Sequence, residues 1–264
     1  MKRLLILAAS LAFGVAGLTT AAQAQGTDLQ DIIARGEIVV GVDMTTPPWG
    51  YLNDQQQPDG YGVALGQVLA DSLKVNLKIE PVTGPTRIPT LLDGRTDVII
   101  STLSITAERA AQIWYSHPYS ANALVLVGPK SLAIANYSDI EDSMRIAVPR
   151  GSPQDQVVTA NAPNATILRF DDDASANQAL VTGQADLIGT GILVPPVLNE
   201  MDPGKDYEVK ITLTVPYMGM AVRPGNTSLL NYLNTFLFLQ KENGTLEEIS
   251  QKYLQIPVGD LPLL

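Results

Sequence analysis

The sequence predicts an α/β protein that folds as two lobes, each built around its own β-sheet. Short β-rich apolar segments alternate with segments of helical periodicity, and this alternation runs in two blocks that meet near residue 121. Strands that alternate with helices are typical of parallel sheets covered by helices on both faces. No sequence motif recurs at a fixed period, which indicates two lobes and not a solenoid.

The first block predicts strands and helices in strict alternation. In chain order they are a strand over residues 37–42, a helix over 63–73, a strand over 77–82, a short helix over 88–92, a strand over 97–101 and a helical turn beyond Glu108. The second block repeats the alternation with a strand over 123–127, a strand over 145–148, a helix over 153–162, a strand over 166–170, a helix over 175–182 and a strand over 185–189.

The end of the chain predicts a return to the first lobe. A single strand near 220–223 is followed by helices over 228–242 and 245–253, and Thr245 with Glu248 has the spacing of a capping box. We therefore expect lobe 1 to comprise residues 25–121 and 219–264, and lobe 2 residues 122–218. Ligands of open α/β sheets bind beyond the carboxyl ends of the strands, so we expect the binding site between the lobes.

The N-terminus has the pattern of a signal peptide. Lys2 and Arg3 precede an uncharged apolar run over residues 4–18, and the small-residue sequence Ala-Gln-Ala at 22–24 predicts cleavage before Gln25. A membrane anchor is the alternative, but the run is shorter than the ~20 residues that span a bilayer. We expect residues 1–24 to be removed and the mature chain to reside in the periplasm.

Composition excludes several classes of function. The chain contains no cysteine and one histidine, which rules out disulfides, thiol nucleophiles and cysteine-ligated metals. Its formal net charge of −10 becomes −12 once Lys2 and Arg3 are removed, so the mature chain is a poor partner for nucleic acid. We expect neither a cofactor nor a metal.

A cluster of hydroxyl groups and one arginine follows the predicted strand at 97–101. Ser101, Thr102 and Ser104 offer donors and acceptors, and Arg109 offers a fork that matches a carboxylate. The alternative interpretation is a Ser/Thr-rich loop that caps the next helix while Arg109 stays solvated.

Several segments together resemble the periplasmic amino-acid-binding proteins of polar amino-acid ABC importers, also called solute-binding family 3. The resemblance covers essentially the whole mature chain, and the order and spacing of the segments are more specific than any one of them. The matching segments are GEIVVGVD at 36–43, PPWGY at 47–51, DGYGVALGQVLADSL at 59–73, RIPTLLDGRTDVIISTLSITAER at 87–109, YSHPY at 115–119, GQADLIG at 183–189 and GTLEEISQKYL at 244–254.

The resemblance implies a fold, a function and a set of ligand-binding residues. The fold is the type II periplasmic-binding-protein fold, in which two hinge strands join two α/β lobes. The function is capture of an amino acid or related small carboxylate for a membrane permease. The expected ligand-binding residues are Asp43, Trp49, Arg87, Ser101, Thr102, Ser104, Arg109, Gly151, Ser152 and Thr190.

Within that set, the resemblance assigns a role to most positions. Arg109 is similar to the family's clamp for the ligand carboxylate, Ser104 to a donor to the same group, and Asp43 to an acid near the ligand amine. The backbone amides of Gly151 and Ser152 are implied to complete the carboxylate site at a helix start, where free N–H groups favour an anion.

Three positions depart from the family pattern. Thr46 stands where an aromatic residue usually covers the ligand side chain, and Pro153 lacks an N–H at the helix start. Gly191, beside Thr190, stands where the second lobe usually carries the acid that holds the ligand ammonium. An ammonium without a carboxylate is poorly compensated in a closed cleft, so either Asp43 substitutes or the ligand lacks an α-ammonium.

An enzyme of the dehydratase type on the same fold is the main alternative function. Such chemistry needs a positioned acid or base. His117 is the single histidine, and no nucleophile-elbow motif accompanies it. The acidic run Asp171, Asp172 and Asp173 is interpreted as a helix start and not as a cation site. The sequence therefore favours a binding protein over an enzyme.

Overall fold

The computed structural model describes residues 29–264, and the predicted signal peptide at 1–24 lies outside the described residues. Twelve strands form the sheets of this part of the chain. They are β1 (Glu37–Asp43), β2 (Tyr51–Leu52), β3 (Pro58–Asp59), β4 (Asn76–Val82), β5 (Val98–Ile99), β6 (Trp114–Ala121), β7 (Leu124–Pro129), β8 (Arg145–Pro149), β9 (Thr166–Phe170), β10 (Leu187–Gly191), β11 (Tyr207–Thr214) and β12 (Tyr217–Val222).

Nine α-helices cover the sheets in the described residues. They are α1 (Leu29–Arg35), α2 (Tyr61–Leu73), α3 (Arg87–Leu92), α4 (Ala107–Ala110), α5 (Pro153–Asn161), α6 (Asp173–Val181), α7 (Pro195–Met201), α8 (Thr227–Glu242) and α9 (Thr245–Tyr253). None of these helices is long and apolar enough to cross a membrane.

Ten of these strands form two separate five-stranded sheets, and β2 pairs with β3 in a two-stranded antiparallel sheet. One has the order β4-β1-β5-β12-β6, and the other has the order β11-β7-β10-β8-β9. Strands β1, β4 and β5 are parallel, as are β8, β9 and β10. Strand β12 runs antiparallel to β5 and β6, and β7 runs antiparallel to β10 and β11. The two-lobed α/β architecture is confirmed, but the sheets are mixed and not wholly parallel.

Two short crossovers explain the antiparallel strands. The chain leaves the first sheet through β6, passes residues 122–123 and enters the second sheet as β7. It returns from β11 through residues 215–216 into β12. The two crossovers touch, because the backbone N–H of Asn122 donates to the carbonyl of Pro216 at 3.2 Å. The lobe boundaries at 121/122 and 218/219 stay a prediction of where the two bodies hinge.

Each sheet has its own hydrophobic core. In the first lobe, the inward residues of β1 pack with α2, α8 and α9 around fully buried Val40, Leu65 and Leu233. In the second lobe, Val125 and Val127 of β7 pack with Ala176 and Leu180 of α6. Because each sheet has its own core, the loops between the sheets are free to carry polar groups.

Sequence analysis does not predict β2, β3, α1 and α7, and two edge strands and one cap also differ from its expectation. Strand β6 contains Pro118 and His117, which weaken a strand pattern, but β6 is an edge strand where proline is tolerated. Strand β11 is also an edge strand and buries little of its surface. The capping box at Thr245 is wrong: Gly244 is the N-cap, without a side-chain cap, and Thr245 is the first helical residue.

We expect Gly60→Ala to destabilise the first lobe strongly. Gly60 has φ of +117°, and a Cβ there would lie 2.8 Å from the backbone oxygen of Trp49. The strained φ and the backbone clash together predict a loss of about 2–4 kcal/mol in the free energy of unfolding. Urea denaturation measures it. Gly84→Ala is the control, because no atom lies within 4 Å of its Cβ position; equal losses for both variants would contradict the argument.

Candidate functional site

A cleft lies where the carboxyl ends of the parallel strands of the two sheets meet. It has an empty volume of about 670 Å³, which includes its solvent-filled mouth. Its walls come from the segments that follow β1, β4, β5, β8, β9 and β10. The lining residues are Thr46, Pro47, Trp49, Gly84, Arg87, Thr102, Ser104, Arg109, Asn122, Leu124, Pro149, Arg150, Ser152, Pro153, Gln154, Asp173, Thr190, Gly191, Leu193, Val194 and Met218.

Most of the predicted site residues line this cleft. Seven of them do so: Trp49, Arg87, Thr102, Ser104, Arg109, Ser152 and Thr190. Asp43, Ser101 and Gly151 lie behind the wall, in contact with residues that line it. Fold topology accounts for this grouping, since ligands of open α/β sheets bind beyond the carboxyl ends of the strands.

Arg109 is a buried cation held by two backbone carbonyls, one from each lobe. Its side chain is 8% exposed. Nη1 donates to the carbonyl of Ser104 at 3.1 Å, and Nη2 donates to the carbonyl of Gly151 at 3.3 Å. Burial lowers the pKa of Arg109 to about 10, so the guanidinium stays charged at neutral pH.

No carboxylate of residues 29–264 forms an ion pair with Arg109. Carbonyl oxygens satisfy two of its N–H groups but do not balance its charge. A buried charge is stable only when it is paired, so we expect an anion to bind beside Arg109 in the cleft.

The loop after β5 is braced by tyrosines and by β12. The hydroxyl of Tyr115 donates to the carbonyl of Ser104 at 3.0 Å, and Tyr119 donates to the carbonyl of Ser101. Ser104 also pairs with Met218 as an isolated antiparallel bridge. These contacts fix the hydroxyl-bearing loop relative to Arg109.

The lobe 2 loop at 151–152 differs in detail from the expectation. The N–H of Gly151 donates to Asp155 Oδ2 at 3.1 Å, and the N–H of Ser152 donates to the carbonyl of Pro149 at 3.3 Å. Both amides are therefore already engaged within lobe 2. Ser152 Oγ accepts from the N–H of Asp155 at 3.1 Å and caps α5, which leaves its hydroxyl proton for the cleft.

A second group of charges lies at the cleft wall: Arg87 at the start of α3 and Asp173 at the start of α6 line the cleft, and Asp43 at the end of β1 lies just behind the wall. Asp43 is 1% exposed, and its Oδ1 accepts from Thr45 N at 3.0 Å and from Thr45 Oγ1 at 2.7 Å. Burial raises the pKa of Asp43, and Arg87 lowers it. Burial and the charge of Asp43 raise the pKa of half-buried Asp173 to about 7.

Asn122 occupies the space beside Gly191. A Cβ on Gly191 would lie 2.8 Å from Asn122 Nδ2, so an acidic side chain at 191 cannot be accommodated unless Asn122 moves. Asn122 is 7% exposed and lies in the first crossover. The lobe 2 carboxylate in this cleft is instead Asp173, which α6 presents.

Trp49 forms an apolar part of the cleft wall. It is 6% exposed and packs on Tyr61 with ring centroids 5.3 Å apart. The backbone N–H of Trp49 donates to the carbonyl of Thr46 at 2.8 Å, in a tight turn that contains the cis peptide between Pro47 and Pro48. Thr46 lines the cleft without an aromatic ring, as its sequence position indicates.

Five buried polar atoms around the cleft have no hydrogen-bond partner among the described residues. They are Asp43 Oδ2, Arg87 Nε, Ser101 Oγ, Asn122 Oδ1 and Thr190 Oγ1. Buried polar atoms are nearly always hydrogen-bonded, and leaving one unpaired costs about 1–3 kcal/mol. Their concentration here indicates a site for a polar ligand with both donors and acceptors.

Several cleft residues were missed or misread from the sequence, and Asn122, Gln154 and Asp173 are three polar examples. Asn122 and Gln154 carry no motif, and Asp173 was interpreted only as part of a helix start. That interpretation is correct for Asp172, whose side chain caps α6 by accepting from Ser175 N. The signal that was available for Asp173 is its place just after a parallel strand, which puts it at the cleft edge.

A family model described as bacterial extracellular solute-binding proteins, family 3, matches residues 38–256. The glutamine-binding protein of an ABC transporter from Bacillus subtilis is 29% identical over 227 residues, covering 83% of this chain and 81% of that protein. The L-cystine-binding protein of Escherichia coli is 26% identical over 245 residues, covering 90% of each.

One similar solved structure connects this fold to an enzyme. It is the crystal structure of an ancestral amino-acid-binding protein, a precursor of cyclohexadienyl dehydratase. Its TM-score is 0.79 at 29% identity, and the match covers 85% of this chain and 98% of that one.

We expect Asp173→Asn to change how stability depends on pH. Because its pKa is raised from 3.8 to about 7, folded Asp173 holds a proton between pH 4 and pH 7 that the unfolded chain has released. Stability therefore falls as pH rises through this window, and the variant removes that loss. Relative to the wild type, the variant should gain about 2–3 kcal/mol between pH 5 and pH 8.

Urea denaturation of the ligand-free protein at both pH values measures this gain. Asp142→Asn is the matched control, because Asp142 is an exposed aspartate of the same lobe. A pH-independent effect of Asp173→Asn would contradict the expectation.

Proposed function

The chain belongs to the bacterial extracellular solute-binding proteins of family 3, and we propose that it captures an amino acid or related small carboxylate as the receptor of an ABC importer. The buried guanidinium of Arg109 carries this proposal. It lies in a cleft between two lobes, it stays charged, and its charge has no carboxylate partner among residues 29–264. A ligand carboxylate can pair with this guanidinium through two parallel hydrogen bonds.

The hydroxyl groups around Arg109 fit the same role. Ser104 and Ser152 reach the cleft from opposite lobes, and Thr102 lines it beside them. A carboxylate held by Arg109 can accept further hydrogen bonds from these hydroxyls. Because the donors come from both lobes, binding the carboxylate favours the closed arrangement.

The periplasm is the proposed location, and a membrane permease is the proposed partner. Family membership supports an extracytoplasmic receptor, and the N-terminal signal pattern supports export. The related glutamine-binding and cystine-binding proteins support an amino acid as the ligand.

A dehydratase-type enzyme is the second candidate function. Asp173 is the observation in its favour, because a cleft carboxyl with a pKa of about 7 suits general acid or base chemistry. His117 does not support it, since it is not among the residues lining the cleft and its Nδ1 accepts from the N–H of Leu264 at 3.1 Å. We favour the receptor, because binding of a polar ligand alone explains the unpaired charges of Arg87 and Arg109. It also explains the buried polar atoms around the cleft that have no hydrogen-bond partner among the described residues.

We expect Arg109→Ala to weaken binding of the best-bound amino acid by about 2–5 kcal/mol, roughly 30-fold to several thousand-fold. The ligand carboxylate would be left desolvated and unpaired. Arg109→Lys should restore only part of the lost affinity, since lysine lacks the two-pronged guanidinium that matches a carboxylate. Calorimetry measures the affinities, and Arg95→Ala is the control, because the Arg95 side chain is 60% exposed. Unchanged affinity in Arg109→Ala would refute the role of Arg109.

Ligand binding should close the cleft without chemical change. Hinge closure is the usual response of periplasmic binding proteins. Small-angle scattering should show a smaller radius of gyration with saturating ligand than without it. NMR of the same solution should show the ligand unaltered after prolonged incubation. Steady product formation that Asp173→Asn abolishes would instead support the enzyme.

A further inference from the structure

Side chains of α4 link the first lobe to the start of α5 in the second lobe, at a place separate from the two crossovers. Glu108 and Arg109 are consecutive residues of α4. Arg109 Nη2 donates to the carbonyl of Gly151 at 3.3 Å, and Glu108 Oε2 accepts from Gln156 Nε2 at 2.9 Å. Gly151 lies in the loop before α5, and Gln156 lies in α5 itself. The lobes are therefore joined at a third place.

The two hydrogen bonds differ in their relation to the cleft. Arg109 lines the cleft, and its guanidinium is the proposed partner of the ligand carboxylate. Glu108 and Gln156 are both exposed, and neither is among the residues that line the cleft. A ligand in the cleft need not contact either of them. The bond between Glu108 and Gln156 therefore acts on the closure of the lobes and not on the choice of ligand.

The pair joins a carboxylate to an amide, which suits a contact that forms and breaks as the lobes move. A hydrogen bond to a charged group is stronger than one between two neutral groups. Because both side chains are exposed, water replaces the bond at little cost when the lobes separate. Contacts between exposed polar side chains typically shift an equilibrium by about two- to fivefold. A factor of this size changes the ratio of closed to open molecules directly.

We propose that Glu108 and Gln156 form a clasp that favours the closed arrangement of the lobes before any ligand binds. The clasp sets the ratio of closed to open molecules, whereas the cleft residues determine which ligand is bound. Because the clasp does not touch the ligand, it changes the affinity for every ligand that closes the cleft by the same factor. This inference holds whichever small molecule the cleft binds.

The distance between two nitroxide labels measures the clasp in the ligand-free protein. The chain contains no cysteine, so Gln112→Cys and Ala160→Cys supply the two labelling sites. Gln112 lies four residues beyond Glu108, Ala160 lies four residues beyond Gln156, and both are exposed. Electron–electron double resonance should then show a short distance from closed molecules and a longer distance from open ones.

Substitutions at residue 156 should change the ratio of closed to open molecules in a fixed order. Gln156→Lys pairs an ammonium with Glu108 and should raise the ratio about two- to fivefold, and Gln156→Ala should lower it about two- to fivefold. Gln156→Glu brings two carboxylates together and should lower the ratio by at least about fivefold. Gln178→Lys and Gln178→Glu are the matched controls and should leave the ratio unchanged, because Gln178 is an exposed residue of α6 in the same lobe.

The double variant Glu108→Gln with Gln156→Glu tests the pair itself. It exchanges the carboxylate and the amide and keeps the net charge, so the ratio should return to within about twofold of the wild type. Thermal unfolding verifies that each variant is folded. The clasp is overturned by an unchanged ratio in all three residue-156 variants, by equal changes in the Gln178 controls, or by a double variant as open as Gln156→Glu.

These outcomes are separate from those that test the proposed function. An overturned clasp leaves the receptor intact, because that function depends on ligand binding at Arg109. A protein that binds no amino acid or related carboxylate would refute the receptor, while the label distances would still decide for or against the clasp.

Discussion

The cleft depends on one constraint: a buried guanidinium whose charge the surrounding chain does not balance. Arg109 donates to carbonyls of Ser104 and Gly151, which come from different lobes, and it forms no ion pair within residues 29–264. These carbonyls orient the guanidinium and satisfy some of its N–H groups. Because the remaining charge is costly in a desolvated place, an anion that enters from outside stabilises the site and the contact between the lobes together.

The sheet topology makes this arrangement possible. Most wall segments of the cleft follow the carboxyl end of a strand, and the hydrophobic cores of the two sheets hold those strands in place. The crossovers at 122–123 and 215–216 lie side by side, so the lobes are joined at one edge of the cleft. Polar groups can then remain unpaired at the strand ends, because the cores supply the stability that the site does not.

The second lobe carries its acid in an unexpected place. At Gly191 the backbone lies against the side-chain amide of Asn122, which would have to move to admit a side chain. The start of α6 supplies Asp173 instead, facing Asp43 and Arg87 of the first lobe. The negative charge of lobe 2 is thus moved from the end of β10 to the end of the neighbouring segment after β9. A displacement of this kind changes which part of a ligand the acid can reach while the fold stays the same.

The sequence by itself determined the family, the two-lobed α/β architecture and the candidate carboxylate anchor. Hydrophobic periodicity records which faces are buried, and the order and spacing of the matching segments, of which 87–109 is the longest, are specific enough to identify the fold. Sequence analysis did not predict the edge strands β6 and β11, because one-sided burial and, in β6, Pro118 leave only a weak strand pattern.

Only the tertiary structure decided which polar groups share the cleft and which are already satisfied. In the folded chain, the amides of Gly151 and Ser152 donate hydrogen bonds within lobe 2, and Asn122 and Asp173 line the site. Hydrogen-bond partners and the neighbours of a buried charge are set by contacts between residues far apart in the chain, and no local pattern of residues encodes them.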